Sequence, residues 1–288
     1  MKLIKKILLF GGVLVILSGC LFKRDTMEDI NIYTTSYPIN FLIYYLYGNN
    51  AKINSIFPNG VNIDEFEISD KKIKEYSNSD LFVFNSLDID RDYAVKFINN
   101  NEDLKIIDVS MGMSYDYDVH ELWLNPYNYL MMAQNLKNSL NNYITNPYLS
   151  EEIDNNYEEL KYELSKLDAT LKQIVSESQN KVLVVDNDLF KFLEKYNVKV
   201  ISLEENDELT EPTINEAKKL ISDGNIKYIY SINKETNNTA KALIDEYKIE
   251  LLTINDMRSV DGGVTNTNDN YLTIMNNNIE LLKKELLK

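Results

Sequence analysis

Residues 150–178 carry apolar side chains at Ile153, Tyr157, Leu160, Leu164, Leu167, Leu171 and Ile174, spaced three and four apart, with neither Gly nor Pro between them. Such spacing lines one face of an α-helix, and ~29 residues at 1.5 Å each reach ~43 Å. A rod of that length can bridge two lobes, and the flanking sequence supplies them. Upstream, short apolar runs at 30–35, 52–57, 81–85 and 105–109 alternate with helical patterns at 38–47, 69–76 and 91–99, and a further helix spans 127–143. Downstream, runs at 181–185, 199–203, 226–231 and 249–254 alternate with helices at 189–196, 213–222 and 237–247, and a last helix covers 271–287. Strands that are apolar along their length and alternate with helices form parallel sheets covered on both faces. The expected fold is α/β, with two lobes, each a central mostly parallel β-sheet flanked by helices, joined by one long rigid helix. Residues 30–149 make the first lobe, 150–179 the connecting helix and 180–288 the second lobe.

The start of the chain has a different logic. Lys2, Lys5 and Lys6 precede an apolar stretch over residues 7–17, which is short for a bilayer span and suits a secretory signal. It ends in Leu17-Ser18-Gly19-Cys20, which resembles the bacterial lipobox, and Cys20 is the only cysteine. A lone cysteine in an exported chain calls for a partner or a modification, and a lipid thioether supplies one. Residues 1–19 are therefore expected to be removed, residues 20–29 to form a lipidated tether, and the protein to sit outside the cytoplasm, anchored to the cell membrane through Cys20. The chain holds 30 basic and 45 acidic residues, a net charge of −15, and loss of the three signal lysines takes it to −18. A surface that negative repels nucleic acid and favours cations.

Several strings, taken in order, resemble one family. Tyr33-Thr34-Thr35-Ser36-Tyr37-Pro38 looks like its opening strand and turn, and Pro58-Asn59-Gly60-Val61 with Asp64-Glu65-Phe66-Glu67 like its first ligand loop. Ser79-Asp80-Leu81-Phe82-Val83-Phe84-Asn85, Leu122-Trp123-Leu124-Asn125-Pro126 and Glu211-Pro212-Thr213 match further segments. With the lipobox and the two-lobed pattern, they resemble the metal-binding solute-binding lipoproteins of ABC importers, the zinc and manganese receptors. The resemblance implies capture of a divalent metal, Mn or Zn, as transported ligand in the cleft between lobes. It also implies delivery to a membrane permease, with no bond made or broken and a monomeric receptor.

The family commonly uses three histidines and one carboxylate, or two of each, whereas this chain has one histidine in all. Carried over by position, the first ligand falls on Asp64. The second falls on His120 or Glu121, because the segment before Trp123 is one residue longer than the family spacing; an imidazole suits most transition metals, which favours His120. The third falls on Asp186 and the last on Asp256, with Asn255 one residue away. Carboxylates suit Mn²⁺ at least as well as Zn²⁺. Three of them around a divalent ion leave one excess negative charge, which a nearby Lys, Arg or donor network must balance. Without metal they repel one another, so binding should weaken at low pH. The competing reading is a receptor that kept the fold, lost the metal, and serves as an adhesin or scaffold or binds another small ligand. An exported enzyme is not expected, since no nucleophile–histidine–acid order or zincin helix stands out.

Overall fold

The structure, a computed structural model, describes residues 26–232, 235–259 and 270–288. The signal-like segment and Cys20 lie outside the described residues. No described helix is long and apolar enough to cross a membrane.

The first half runs β1 (Ile30–Thr34), α1 (Tyr37–Tyr47), β2 (Ala51–Ser55), α2 (Asp70–Tyr76), β3 (Leu81–Phe84), α3 (Asp90–Asn100) and β4 (Lys105–Asp108). Two helices, α4 (Glu121–Leu124) and α5 (Pro126–Tyr143), lead to α6 (Pro147–Glu177). The second half follows as β5 (Val182–Val185), a 3₁₀ stretch Asp188–Tyr196, β6 (Lys199–Ser202), α7 (Glu211–Ser222), β7 (Tyr228–Ser231), α8 (Asn238–Tyr247), β8 (Glu250–Thr253) and α9 (Tyr271–Leu286). Both sheets are four-stranded with every pairing parallel, in the orders β2-β1-β3-β4 and β6-β5-β7-β8. Each order reverses direction beside its first strand, and open sheets of this kind bind ligands off their carboxyl ends at that reversal.

Helix α6 is 31 residues long and starts three residues before the expected point. Pro147 takes the first helical position, where its missing N–H costs nothing, and the Asn146 side chain accepts from Tyr148 N at 2.9 Å. Asn146→Ala is expected to cost about 1 kcal/mol through loss of that cap, seen as a lower urea midpoint at unchanged slope. The seven apolar positions read from the sequence are all buried, and α6 packs along α1, α5 and α9. One apolar core runs through both halves along it, joining Leu42, Trp123 and Leu136 to Leu160, Leu171, Leu183 and Ile279. Smaller cores cover the far faces of the sheets, around Phe82 and Phe97 in one half and Val184 and Ile229 in the other. Strand β3 shows the division residue by residue. Leu81 and Val83 face the shared core while Phe82 and Phe84 face the smaller one, as the two-residue period of a strand requires.

Residues 27–29, at the end of the expected tether, are folded in against α1 and the turn before β2. Met27 is wholly buried, its carbonyl accepts from the Tyr47 hydroxyl, and Asp29 N donates to Asn50 O at 2.9 Å. Gly48 ends α1 at φ +60, a conformation glycine adopts without steric cost. The stretch 189–196, expected as α-helix, is 3₁₀ instead. Asn187 caps it by accepting from Leu189 N, and Asn197 closes it in the left-handed region at φ 64.

Candidate metal site

The cleft between the lobes is assembled from loops at the carboxyl ends of strands. After β2, Gly60 turns at φ +74 and the Asn62 side chain accepts from Asp64 N at 3.2 Å, bringing Asp64 to the mouth. After β8, Asn255 is spent on structure. Its amide and carbonyl pair with the Asn278 side chain at 3.0 and 2.8 Å, and its own side chain accepts from Met257 N at 2.8 Å. Met257, wholly buried, sits in the left-handed region at φ 58, a strained setting for an unbranched residue other than glycine. Asp256 and Arg258, on either side of it, both reach a cavity of about 430 Å³ that Asp64, His120, Gly60 and Ile232 also line.

His120 stands just before α4. Asp118 accepts from its backbone N at 2.8 Å and also pairs with its Nδ1. The ring lies 4.8 Å from that of Trp123, and Nε2 is buried, has no hydrogen-bond partner and lies 3.5 Å from Asp256 Oδ2. Burial pushes the imidazolium down, but the carboxylates of Asp118 and Asp256 outweigh it and raise the pKa to about 9. Trp123 Nε1 donates to the Asp256 carbonyl at 2.7 Å, fixing the acid's backbone against the histidine's.

The structure thus brings together Asp64, His120 and Asp256, and leaves out two of the expected residues. Glu121 is wholly buried but faces away from the cavity. One of its oxygens accepts from Tyr117 N at 2.7 Å, and the other pairs with Lys195 of the 3₁₀ stretch at 3.2 Å. The neighbouring residues of a tight turn point apart, so once His120 takes the cavity side Glu121 cannot. Asp186 follows β5 as expected, yet its side chain accepts from Thr236 at 2.5 Å and its carbonyl from the Asn237 amide at 2.9 Å. Burial holds its carboxyl above the usual range despite the Ser231 and Thr236 hydroxyls. It ties loops in the second half through one carboxylate oxygen and is not among the residues lining this cavity, while its Oδ1 is buried without a hydrogen-bond partner. Among the described residues, no group of three His, Cys, Asp or Glu side chains is arranged to hold a metal ion.

Four groups around the site, Asp118, Arg258, Asp88 and Asp90, were not foreseen. Asp118 is legible afterwards as an acid two residues before the only histidine. Arg258 supplies the positive charge that the carboxylate-rich set demands, but by direct contact. Its Nη1 and Nη2 lie 2.7 and 3.1 Å from the two oxygens of Asp88, and Nη2 lies 2.5 Å from Asp64 Oδ1. Behind Asp88, Asp90 is 1% exposed and accepts from the Thr35 hydroxyl and from Asn85 N at 3.1 Å. Burial, and then the charge of Asp88, push its carboxyl up to about 7.

Residues 32–285 match the family model for the zinc-uptake complex component A, periplasmic. The zinc-binding lipoprotein AdcA of Streptococcus pneumoniae is 22% identical over 293 residues, covering 93% of this chain and 58% of that protein; the chain thus spans little more than half the length of that relative. The high-affinity zinc uptake system protein ZnuA of Bacillus subtilis is 21% identical over 287 residues, covering 90% of this chain and 88% of that one. The crystal structure of the Zn(II)-bound ZnuA-like domain of Streptococcus pneumoniae AdcA superposes with a TM-score of 0.74 at 21% identity, over 90% of this chain and all of that domain, a likeness of fold. With nearly the whole chain matched, from β1 to the end of α9, this protein belongs to the zinc-uptake complex component A family, a family of metal-binding solute receptors and not of enzymes.

Proposed function

We propose that the protein is an extracytoplasmic receptor, lipid-anchored at Cys20 and monomeric, that captures a divalent metal ion, Mn²⁺ or Zn²⁺, between its lobes and presents it to the permease of an ABC importer. The observation that carries this reading is the state of His120. Its Nδ1 is held by the Asp118 carboxylate, the residue lines the cavity, and its buried Nε2 lies 3.5 Å from Asp256 Oδ2 with no closer partner. Metal-binding histidines are oriented in this way, with an acid fixing the far nitrogen. Cargo would take His120 Nε2 and the carboxylates of Asp256 and Asp64, a mixed set that accepts either metal. The continuous core along α6 limits the movement between lobes, so release would need only a small opening of the cleft loops.

A second reading is favoured by Arg258. Its guanidinium already occupies Asp64 and Asp88, as in a receptor of this family that has lost metal binding and acts as an adhesin or scaffold or takes another small ligand. Thermal and urea unfolding of the chain from residue 25 onward, with EDTA, Mn²⁺ or Zn²⁺, separates the two. Metal at a hundred times its dissociation constant adds ~2.7 kcal/mol if it binds the native state alone. That gain is expected to vanish in His120→Ala, and to be larger at pH 8.5 than at pH 6.5, because the imidazolium must lose its proton to bind. No gain with either metal at either pH would establish the second reading.

A further inference from the structure

We propose that Arg258 is a tethered cation that latches the cleft shut in the absence of cargo and competes with the incoming metal for Asp64. The competition half rests on the metal-receptor reading; the latch does not.

Arg258 belongs to the segment after β8 in the second half, and its acceptors belong to the first. Asp88 follows β3 and Asp64 follows β2. The guanidinium meets Asp88 through both nitrogens, a planar two-point pairing that arginine makes and lysine cannot. The pair is deeply placed, with Arg258 10% and Asp88 8% exposed in their side chains, where water screens it little. Beside it, Ser259 Oγ accepts from Gly60 N at 3.0 Å, a second bond between the same two segments. Arg258 thus ties the loop that carries Asp64 to the strand end that carries Asp256. These are the two walls between which cargo would sit, and the arginine joins them directly.

The same geometry sets a threshold for entry. Asp64 has one oxygen committed to Nη2, and a metal drawing on that carboxylate must break the contact. A divalent ion that also gains Asp256 and His120 can offset the loss, whereas a monovalent ion offers half the charge against the same fixed cation. Asp88 keeps its two-point contact when Asp64 is surrendered, so the arginine need not be left uncompensated in the loaded state. The strained backbone of Met257 is consistent with a segment held in place by the contacts of its neighbours.

The test uses Arg258→Gln, and the double variant Arg258→Gln with Asp88→Asn, which avoids leaving a buried carboxylate without its partner. Hydrogen exchange is followed at amides 59–64 without metal, and Mn²⁺ and Zn²⁺ are titrated calorimetrically. Both variants are expected to exchange at least tenfold faster at Gly60 and its neighbours, and to bind metal at least tenfold more tightly than the parent chain. Unchanged exchange in both variants overturns the latch. Faster exchange with metal affinity unchanged overturns the competition. Faster exchange, with no metal bound by parent or variant, leaves the latch standing and removes the metal-receptor reading instead.

Discussion

Trp123→Ala is expected to destabilise the protein by about 3–5 kcal/mol, the usual cost of removing a large buried aromatic, and to weaken metal capture as well. Trp123 is 1% exposed and belongs to the core shared by both halves. Its indole N–H donates to the Asp256 carbonyl, its carbonyl accepts from the Tyr271 hydroxyl at 2.6 Å, and its ring supports that of His120. Tyr271 in turn stacks on Tyr129 at 4.1 Å. The alanine leaves a void under the histidine and frees the backbone of the acid beside it, so packing and site geometry fail together. Trp123→Phe separates these contributions. It keeps most of the ring but removes the donor to the part-buried Asp256 carbonyl, a loss of about 1 kcal/mol. Urea midpoints at constant slope give the stabilities, and metal titration gives the site. A phenylalanine variant as unstable as the alanine one would mean that the hydrogen bond, and not the packing, dominates. An alanine variant within 1 kcal/mol of the parent would mean that the two halves do not depend on this contact.

The elements that carry a period were legible. The stripe of α6 is written in seven apolar residues, and the central strands β3, β5 and β7 announced themselves as apolar runs because both their faces are covered, whereas the edge strand β2 alternates with exposed residues. The differences arise where the spacing is ambiguous. Residues 189–196 have the apolar content of an α-helix, but the caps at Asn187 and Asn197 enclose a tighter 3₁₀ winding. Ahead of the helix expected over 127–143 stands a short one at 121–124 that was not expected, and Pro126 opens the longer helix behind Asn125, whose side chain accepts from Tyr127 N. At the site, the positions carried over from the family resemblance put Asp64, His120 and Asp256 around one cavity. Side-chain direction was not readable in that way. Asp186 stands where expected and turns to Thr236, and Glu121 is drawn off by Lys195, 74 residues away. Arg258 was invisible for the same reason. A single arginine in a polar loop has no pattern, and its partner Asp88 lies 170 residues earlier in the chain. Only the demand for charge balance pointed towards such a group, without naming it.

Asp90 should make stability fall as pH rises, and Asp90→Asn should remove that dependence. Asp90 is essentially inaccessible, and its carboxyl is raised from an ordinary value of 3.8 to about 7 by burial and by the charge of Asp88. The Thr35 hydroxyl, Asn85 N–H and Arg258 oppose the shift without cancelling it. Below about pH 3.8 both the folded and the unfolded chain carry the proton, and Asp90 costs nothing. Between that point and about 7 the unfolded chain releases its proton while the folded chain keeps it. Stability from this group is therefore lost as pH rises and levels off above about 7. The full span corresponds to about 4 kcal/mol at 1.36 kcal/mol per pH unit. In Asp90→Asn the side-chain oxygen can still accept from Thr35 and Asn85 N, but the group cannot ionise. Its unpaired amide, set where Asp90 Oδ1 has no partner, should leave the variant less stable than the parent at pH 4 by about 1–3 kcal/mol. The difference between the two proteins should then move in the variant's favour by up to about 4 kcal/mol between pH 4 and pH 7.5, measured as urea midpoints with metal excluded by EDTA. A constant difference across that range would show that Asp90 ionises without penalty. Arg258 would then be compensating it fully, and combining Asp90→Asn with Arg258→Gln decides the point. If the guanidinium is what lets Asp90 ionise, removing it should restore a strong pH dependence to the chain that keeps Asp90 and none to the chain that lacks it.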